Sequence, residues 1–140
     1  MSEILLDTCE VASLPWRPFA GEEGVRDRVL WQDPDGASYA GLLDLEPGAS
    51  VAPHLHRGAV HHLWVVSGHC EIGGRTLGAG SYVFVPGGAE HAIQRAGPTG
   101  CVLFYLYLRM ASATDDAHPA HKGRQAVGSD PAAFVPSVVN

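Results

Sequence analysis

The sequence predicts an all-β protein, a single β-sandwich or jelly-roll barrel with an N-terminal arm and a C-terminal tail. Three observations predict it. Short apolar runs recur from residue 25 to residue 108, the 17 glycines and 10 prolines fall largely between them, and no amphipathic helical pattern is evident before residue 110. A chain of 140 residues supports one core. The barrel and its arm are expected over residues 1–110 and the tail over residues 111–140.

Taken in order, residues 1–20 carry Leu5, Leu6, Val11, Leu14 and Trp16 together with Pro15 and Pro18, which predicts an arm or edge strand better than a helix, packed down by its apolar residues. A hairpin follows: Val25, Val29 and Trp31 lead into the Asp33-Pro34-Asp35-Gly36 turn, and a strand returns through Tyr39 and Leu45. Further strands are expected over residues 51–56, 61–67, 69–72, 75–77, 82–85, 91–95 and 101–108, each bounded by glycine or proline. Tyr39, Leu43, Leu63, Val65, Phe84, Ile93, Phe104 and Leu106 are expected in the core or lining a pocket, and Cys101 as a small core residue. The last thirty residues lose the alternation and are rich in Ala, Ser, Pro and Asp; Phe134, Val135, Val138 and Val139 could dock on the barrel or on a neighbouring subunit.

Composition narrows the function classes. Nine basic against fifteen acidic residues give a formal charge of −6, too few cations to displace counterions from a phosphate backbone, so nucleic acid is not an expected partner. No apolar run reaches membrane-span length and the N-terminus lacks a basic signal region, so a cytoplasmic protein with no membrane partner is expected. The three cysteines Cys9, Cys70 and Cys101 have no C-x-x-C spacing and suggest neither a disulfide framework nor a thiolate zinc site.

The chemistry concentrates between Gly48 and Gly68, where four of the eight histidines lie within nine residues. His54 and His56 are two apart on an extended stretch, so their side chains leave one face and can converge on an ion. A further nitrogen must come from elsewhere, and His61 and His91 are the candidates. His61 and His62 face opposite ways; the interval to Gly68 selects His61 as inward, with His62 the less favoured substitute, outside beside Trp64. The same parity carried past Gly68 would turn His69 and Glu71 inward unless a bulge resets it, making Glu71 a weak candidate for a supporting carboxylate. Arg95 shares a parity with His91, yet an arginine at a strand end is more simply a solvated residue at the mouth. His118 and His121 in the tail are expected in solvent.

The glycines and prolines around these histidines form two blocks, Gly48-x5-His54-x-His56-x4-His61-x6-Gly68 and Gly80-x5-Pro86-x-Gly88-x2-His91. They resemble the two motifs of the cupin superfamily, in which two histidines and a glutamate from the first and a histidine from the second hold a metal inside a small barrel. The resemblance covers residues 38–108. It departs at His61, where the glutamate usually stands, so the ligand set implied is His54, His56, His61 and His91, or three histidines plus a carboxylate from another strand with His61 lining the pocket. An all-imidazole set suits iron, zinc, nickel or copper and disfavours magnesium or calcium. It also leaves the divalent charge uncompensated, which favours an anionic small-molecule ligand.

The run His54, His56, Gly58, Val60, His61 is similar to the H-x-H-x-G-x-V-H motif of a subset that includes 2,4'-dihydroxyacetophenone dioxygenase and acetylacetone-cleaving enzymes, and to the cupin domains of certain anti-sigma factors. The first likeness implies a mononuclear Fe(II) site, dioxygen as co-substrate, and cleavage of a carbon–carbon bond in a small carbonyl compound chelated to the metal. The second implies a non-catalytic metal- or ligand-binding module, against which stands the lack of an N-terminal helical segment. A cupin isomerase or lyase is a third expectation, without an acid–base pair to support it. The resemblance also implies a homodimer.

Overall fold

Alternation becomes strands close to where the sequence places it. In the computed structural model, which describes residues 2–111, a short helix, α1 (Thr8–Ser13), precedes nine strands: β1 (Arg17–Pro18), β2 (Val25–Gln32), β3 (Tyr39–Leu45), β4 (Val51–His54), β5 (Ala59–Ile72), β6 (Arg75–Gly78), β7 (Tyr82–Val85), β8 (His91–Ile93) and β9 (Arg95–Arg109). All pairings are antiparallel. A large sheet runs β1-β2-β3-β9-β5-β6, with β7 also on β5, and a small sheet pairs β4 with β8. The expected jelly-roll β-sandwich is the fold. No described helix is long and apolar enough to cross a membrane. The expected tail, with His118, His121 and its four apolar residues, lies outside the described residues.

One expected strand pair is a single long strand, since β5 runs through Gly68; the expected 101–108 strand starts earlier, at Arg95, as β9, while the expected 91–95 strand is the separate β8 over His91–Ile93. The β5–β9 ladder extends from Ala59 opposite Arg109 to Glu71 opposite Arg95, with irregularities between Val65 and Ser67 and between Gly68 and Cys70. Gly68 accounts for the second: its φ is +72°, and a Cβ there would clash with the Gly100 carbonyl oxygen. Only glycine lets the two strands stay paired through this bend.

The first irregularity, where two residues of β5 from Val65 to Ser67 pass one of β9 from Leu103 to Val102, resets the inward parity. Ala59, Leu63 and Val65 are buried before it and Cys70 after it, so His69 and Glu71 do not continue the inward row. Along β9, Cys101, Leu103, Tyr105 and Tyr107 point into the core. Phe104 and Leu106 are therefore on the outer face, as is the 49% exposed Phe84, which corrects their expected place in the core. Cys101 is a core residue, beside Cys70; both are free thiols.

The N-terminal segment corrects a second expectation, because it forms a helix as well as an edge strand. Asp7 accepts the Glu10 N–H and Glu10 accepts the Asp7 N–H, at 2.9 and 2.8 Å, a reciprocal capping box that holds one and a half turns without any buried residue. Trp16 then packs against the guanidinium groups of both Arg26 and Arg28, 4.6 and 4.1 Å from its ring centroid. Ile4, Leu5 and Leu6 remain exposed, so the arm is tied down at Trp16 and not at its apolar start.

One buried acid sits in the barrel among the described residues. Asp27 accepts the Tyr105 hydroxyl at 2.7 Å and is paired with Arg17 at 3.1 Å; burial pushes its carboxyl upward against both partners. Gly41 makes that bond possible, since a Cβ there would lie 2.6 Å from the Tyr105 hydroxyl oxygen.

Gly68→Ala combines a left-handed backbone with a clash against main chain, and should lower unfolding free energy by about 3 kcal/mol or more. Urea denaturation followed by far-UV circular dichroism measures it; a loss within error of zero would mean that the β5–β9 bend is not fixed there.

Candidate metal centre

The site is assembled by pairing two short strands. In the β4–β8 ladder His54 lies directly opposite His91, which joins the two sequence blocks. β4 is held at its outer side by Glu22, whose carboxylate accepts the Ala52 N–H at 2.9 Å. His56 follows two residues after His54, in the loop leading to Gly58, whose φ of +76° turns the chain into β5. That loop is tied to the Pro86–His91 turn by the Gly88 N–H, which donates to the His56 carbonyl at 2.8 Å.

The result brings His54, His56 and His91 together, with one ring nitrogen of each within 4.8 Å of the others. Ring centroids are 4.9 Å apart for His54 and His56, 4.3 Å for His54 and His91, and 5.4 Å for His56 and His91. His61 points inward from β5. Its ring is 4.6 Å from that of His56 and 5.3 Å from that of His91, so it borders the trio and stands outside the set whose nitrogens are mutually close. His62 lies on the opposite face of β5, its Nδ1 2.7 Å from the Tyr82 hydroxyl oxygen.

Hydrogen bonding sets the tautomers. His54 Nδ1 is 2.8 Å from the Ala52 carbonyl and His91 Nδ1 is 3.3 Å from the Ala89 carbonyl. A carbonyl only accepts, so each Nδ1 carries the proton and each Nε2 presents a lone pair. His56 Nε2 and His61 Nδ1 are buried with no hydrogen-bond partner, a costly condition for polar atoms unless something else occupies them. Unpartnered imidazole nitrogens beside two rings whose Nε2 is free form a donor set that fits a transition metal.

Burial also keeps these rings neutral. Desolvation, with neighbouring imidazoles, pushes His56 down to about 3. His91 is pushed down to about 4 by burial and by His54, against its bond to Ala89. His61 falls well below the ordinary histidine value, again chiefly by burial. A metal needs the deprotonated form, so these nitrogens are available at neutral pH.

The cluster opens on a cavity of about 60 Å³, room for roughly four waters or one small organic molecule. Besides the four histidines its walls include Phe19, Leu43, Val51, Leu63, Val85 and Ile93, and its polar side chains include Asp27 and Tyr105. Tyr107 packs edge-on against His56 and His61, with centroids 5.1 and 4.8 Å away, and stacks on Tyr39 at 4.8 Å. Sequence reasoning passed over Phe19, Asp27, Tyr105 and Tyr107. An acid at an inward position of the Val25-Arg26-Asp27-Arg28-Val29 alternation was a usable signal, as was the odd parity shared by Cys101, Leu103, Tyr105 and Tyr107.

Glu71 and Arg95 are elsewhere. They face each other across the β5–β9 ladder and line a separate depression of about 360 Å³ with His69 and Thr76. The bends at Val65–Ser67 and Gly68–Cys70 are the reason: they rotate the end of β5 before Glu71 is reached. Arg95 is exposed, in keeping with a solvated strand end.

A family model described as the ChrR cupin-like domain matches residues 6–111. The chain belongs to that family. Among solved structures, this cupin is similar to the anti-sigma ChrR of Rhodobacter sphaeroides in complex with SigE, at 26% identity and a TM-score of 0.57, covering 67% of this chain and 49% of that one. It is also similar to an acetylacetone dioxygenase from Acinetobacter johnsonii, at 22% identity and a TM-score of 0.58, covering 77% and 74%. A predicted oxalate decarboxylase from Thermotoga maritima matches at 20% identity and a TM-score of 0.64, covering 76% and 100%. No curated protein matches in sequence.

Two outcomes follow from this geometry. His54→Ala and His91→Ala should each abolish stoichiometric metal binding by elemental analysis, and full occupancy in either would remove the assignment; His61→Ala should retain metal with weaker affinity if its ring only borders the ion. The metal-free protein should also lose stability in acid. His56 and His91 bind protons less well folded than unfolded, so between pH 6.5 and about 4 the unfolded chain takes up protons that the folded chain refuses. Melting temperature should fall through that window, and His56→Gln should flatten the fall.

Proposed function

We propose that this cupin holds one divalent transition metal, Fe(II) by preference, on His54, His56 and His91 with His61 as a fourth imidazole, and that it cleaves a carbon–carbon bond in a small carbonyl compound with dioxygen. The observation that carries this reading is the apolar cavity that opens directly on a cluster of neutral imidazoles containing no carboxylate. A purely structural metal site would be closed by its protein ligands. Here the walls are arranged to receive a further molecule.

The bound metal would supply Lewis acidity and, as iron, a redox couple for dioxygen chemistry. The chain's own residues supply the rest. Neutral histidines leave the cation's charge for an oxyanion of the substrate to balance, and Ala52 and Ala89 keep two of the rings oriented. Phe19, Leu43, Val51 and Leu63 suit a short hydrocarbon body and exclude water around it. The cavity volume favours a β-diketone or α-hydroxyketone of few heavy atoms over a sugar. One dioxygen is consumed per bond broken, and its two oxygen atoms enter the two fragments.

A second reading has its own support. The family match and the likeness to ChrR in its complex with SigE favour a metal- or ligand-binding module without turnover. Metal analysis of the purified protein, then oxygen uptake by the Fe(II)-loaded form with a panel of β-diketones and α-hydroxyketones, separates the two. Stoichiometric uptake with at least one compound, lost in His54→Ala, is expected. Tightly held zinc and no uptake across the panel would favour the binding module.

A further inference from the structure

The cavity contains a polar pair that the imidazole cluster does not use. Apart from the histidines and Tyr39, its polar side chains are Asp27 and Tyr105, set among apolar walls. The Tyr105 hydroxyl donates to Asp27 Oδ1 at 2.7 Å, and Arg17 reaches Oδ2 at 3.1 Å. The end of the Tyr105 ring lies over Gly41 of β3, so the side chain crosses from β9 to Asp27 on β2. Asp27 is only 6% exposed, and a carboxylate so placed costs stability that an apolar side chain of similar volume would not. Burial also raises its affinity for a proton above the ordinary carboxyl value, against its hydrogen-bond partners. A hydroxyl joined to an acceptor of that kind is suited to moving a proton.

The pair stands one strand step from the cluster. Tyr105 is two residues along β9 from Tyr107, roughly 7 Å, and Tyr107 packs edge-on against His56 and His61. Across the ladder Tyr105 lies opposite Leu63, again two residues from His61. Histidines, Asp27 and Tyr105 line one cavity of about 60 Å³. At that size a single small molecule that touches the imidazole end also reaches the hydroxyl.

We propose that Tyr105 and Asp27 are the acid–base pair of the cavity and give the protein an enolisation activity that needs no dioxygen. This rests on the reading of the cavity as a site for a small carbonyl compound. With the ligand's carbonyl oxygen toward the histidines, the Tyr105 oxygen takes a proton from the carbon next to that carbonyl while the Tyr105 proton passes to Asp27 Oδ1. One C–H bond breaks, its electron pair stays on the ligand as the enolate, and one O–H bond forms on Asp27. Tyr105 ends neutral with its hydrogen bond to Asp27 reversed. The negative charge moves from Asp27 to the ligand oxygen, at the end of the cavity where the neutral imidazoles leave a cation's charge to balance it. Asp27 Oδ2 faces Arg17, whose side chain is 51% exposed, and on this side the held proton is traded with water.

Hydrogen–deuterium exchange at the α-carbon of hydroxyacetone and acetoin, followed by proton NMR in D2O under argon with the Zn(II)-loaded full chain, tests this. Zinc has no redox couple, so the readout is independent of oxygen chemistry. Exchange should run at least about a hundredfold faster than with Zn(II) alone. Asp27→Asn keeps an acceptor for the Tyr105 hydroxyl and cannot take the proton; it should lower exchange at least about a hundredfold, with zinc content and far-UV circular dichroism unchanged. Tyr105→Phe should lower it likewise. Apart from exchange, adding pentane-2,4-dione should raise a protonated-carboxyl band in the infrared difference spectrum of the wild type and not of Asp27→Asn. Exchange no faster than with Zn(II) alone, or equal in Asp27→Asn and the wild type, would overturn the proposal and leave Asp27 as a structural pin between β2 and β9; a missing carboxyl band in the wild type would overturn it too. Exchange without oxygen uptake by the Fe(II) form would uphold it while removing carbon–carbon cleavage, and oxygen uptake without exchange would do the reverse.

Discussion

The antiparallel ladder between β5 and β9 is the constraint on which the other elements depend. It joins the two longest strands, fourteen and fifteen residues, and every other strand of the large sheet attaches to one of them directly or through β3. Its inner side carries Leu63, Val65, Leu103, Tyr105 and Tyr107, the centre of the core. Its first residues set the direction of His61, and Tyr107, opposite His61 in register, forms the wall behind the imidazoles. Barrel, cavity and metal site are therefore positioned by one set of backbone hydrogen bonds. The bend at Gly68 lets such long strands curve around the barrel without separating.

The site itself is an electrostatic compromise. Four imidazoles crowd together, and His56, His61 and His91 are held neutral chiefly by the cost of charging them where burial strips water away. Two buried ring nitrogens have no partner in the protein. Without a ligand this arrangement costs stability, and a cation accepts lone pairs from the same atoms that burial has deprotonated. The apolar wall has a related effect, because it leaves the ion as the strongest attraction for any anion that enters. Asp27 does not offset that charge at the cluster, since its two oxygens are engaged by Tyr105 and Arg17.

Much of this was legible in the sequence because strand alternation and glycine punctuation are local. The hairpin from Val25 to Leu45, the His54 and His56 pair and the turn before His91 all follow from neighbours a few residues away. Inference weakened where a distant contact decides. Gly68 looks like a turn, and only the Gly100 carbonyl pressed against it explains why β5 continues through it; the faces of β5 are exchanged just before, where Val65 and Ser67 pass one step of β9, and that carries Glu71 away from the cavity. Phe84, Phe104 and Leu106 looked like core because they are large and apolar, yet they lie on the outer face. The α1 helix was readable in Asp7-Thr8-Cys9-Glu10, a capping signature, but was obscured by the two prolines that follow.

The carbonyls that orient His54 and His91 come from Ala52 and Ala89, in each case two residues earlier in the chain. Each ligand thus carries its own orienting group within a three-residue segment, Ala-Pro-His in one and Ala-Glu-His in the other. The two half-sites are modular: ring direction and tautomer are local properties of short peptides, and the barrel's task is to bring the peptides face to face. Such a division separates the inheritance of the metal site from that of the pocket, so the walls are free to diversify toward new ligands while the chemistry at the ion stays as it was.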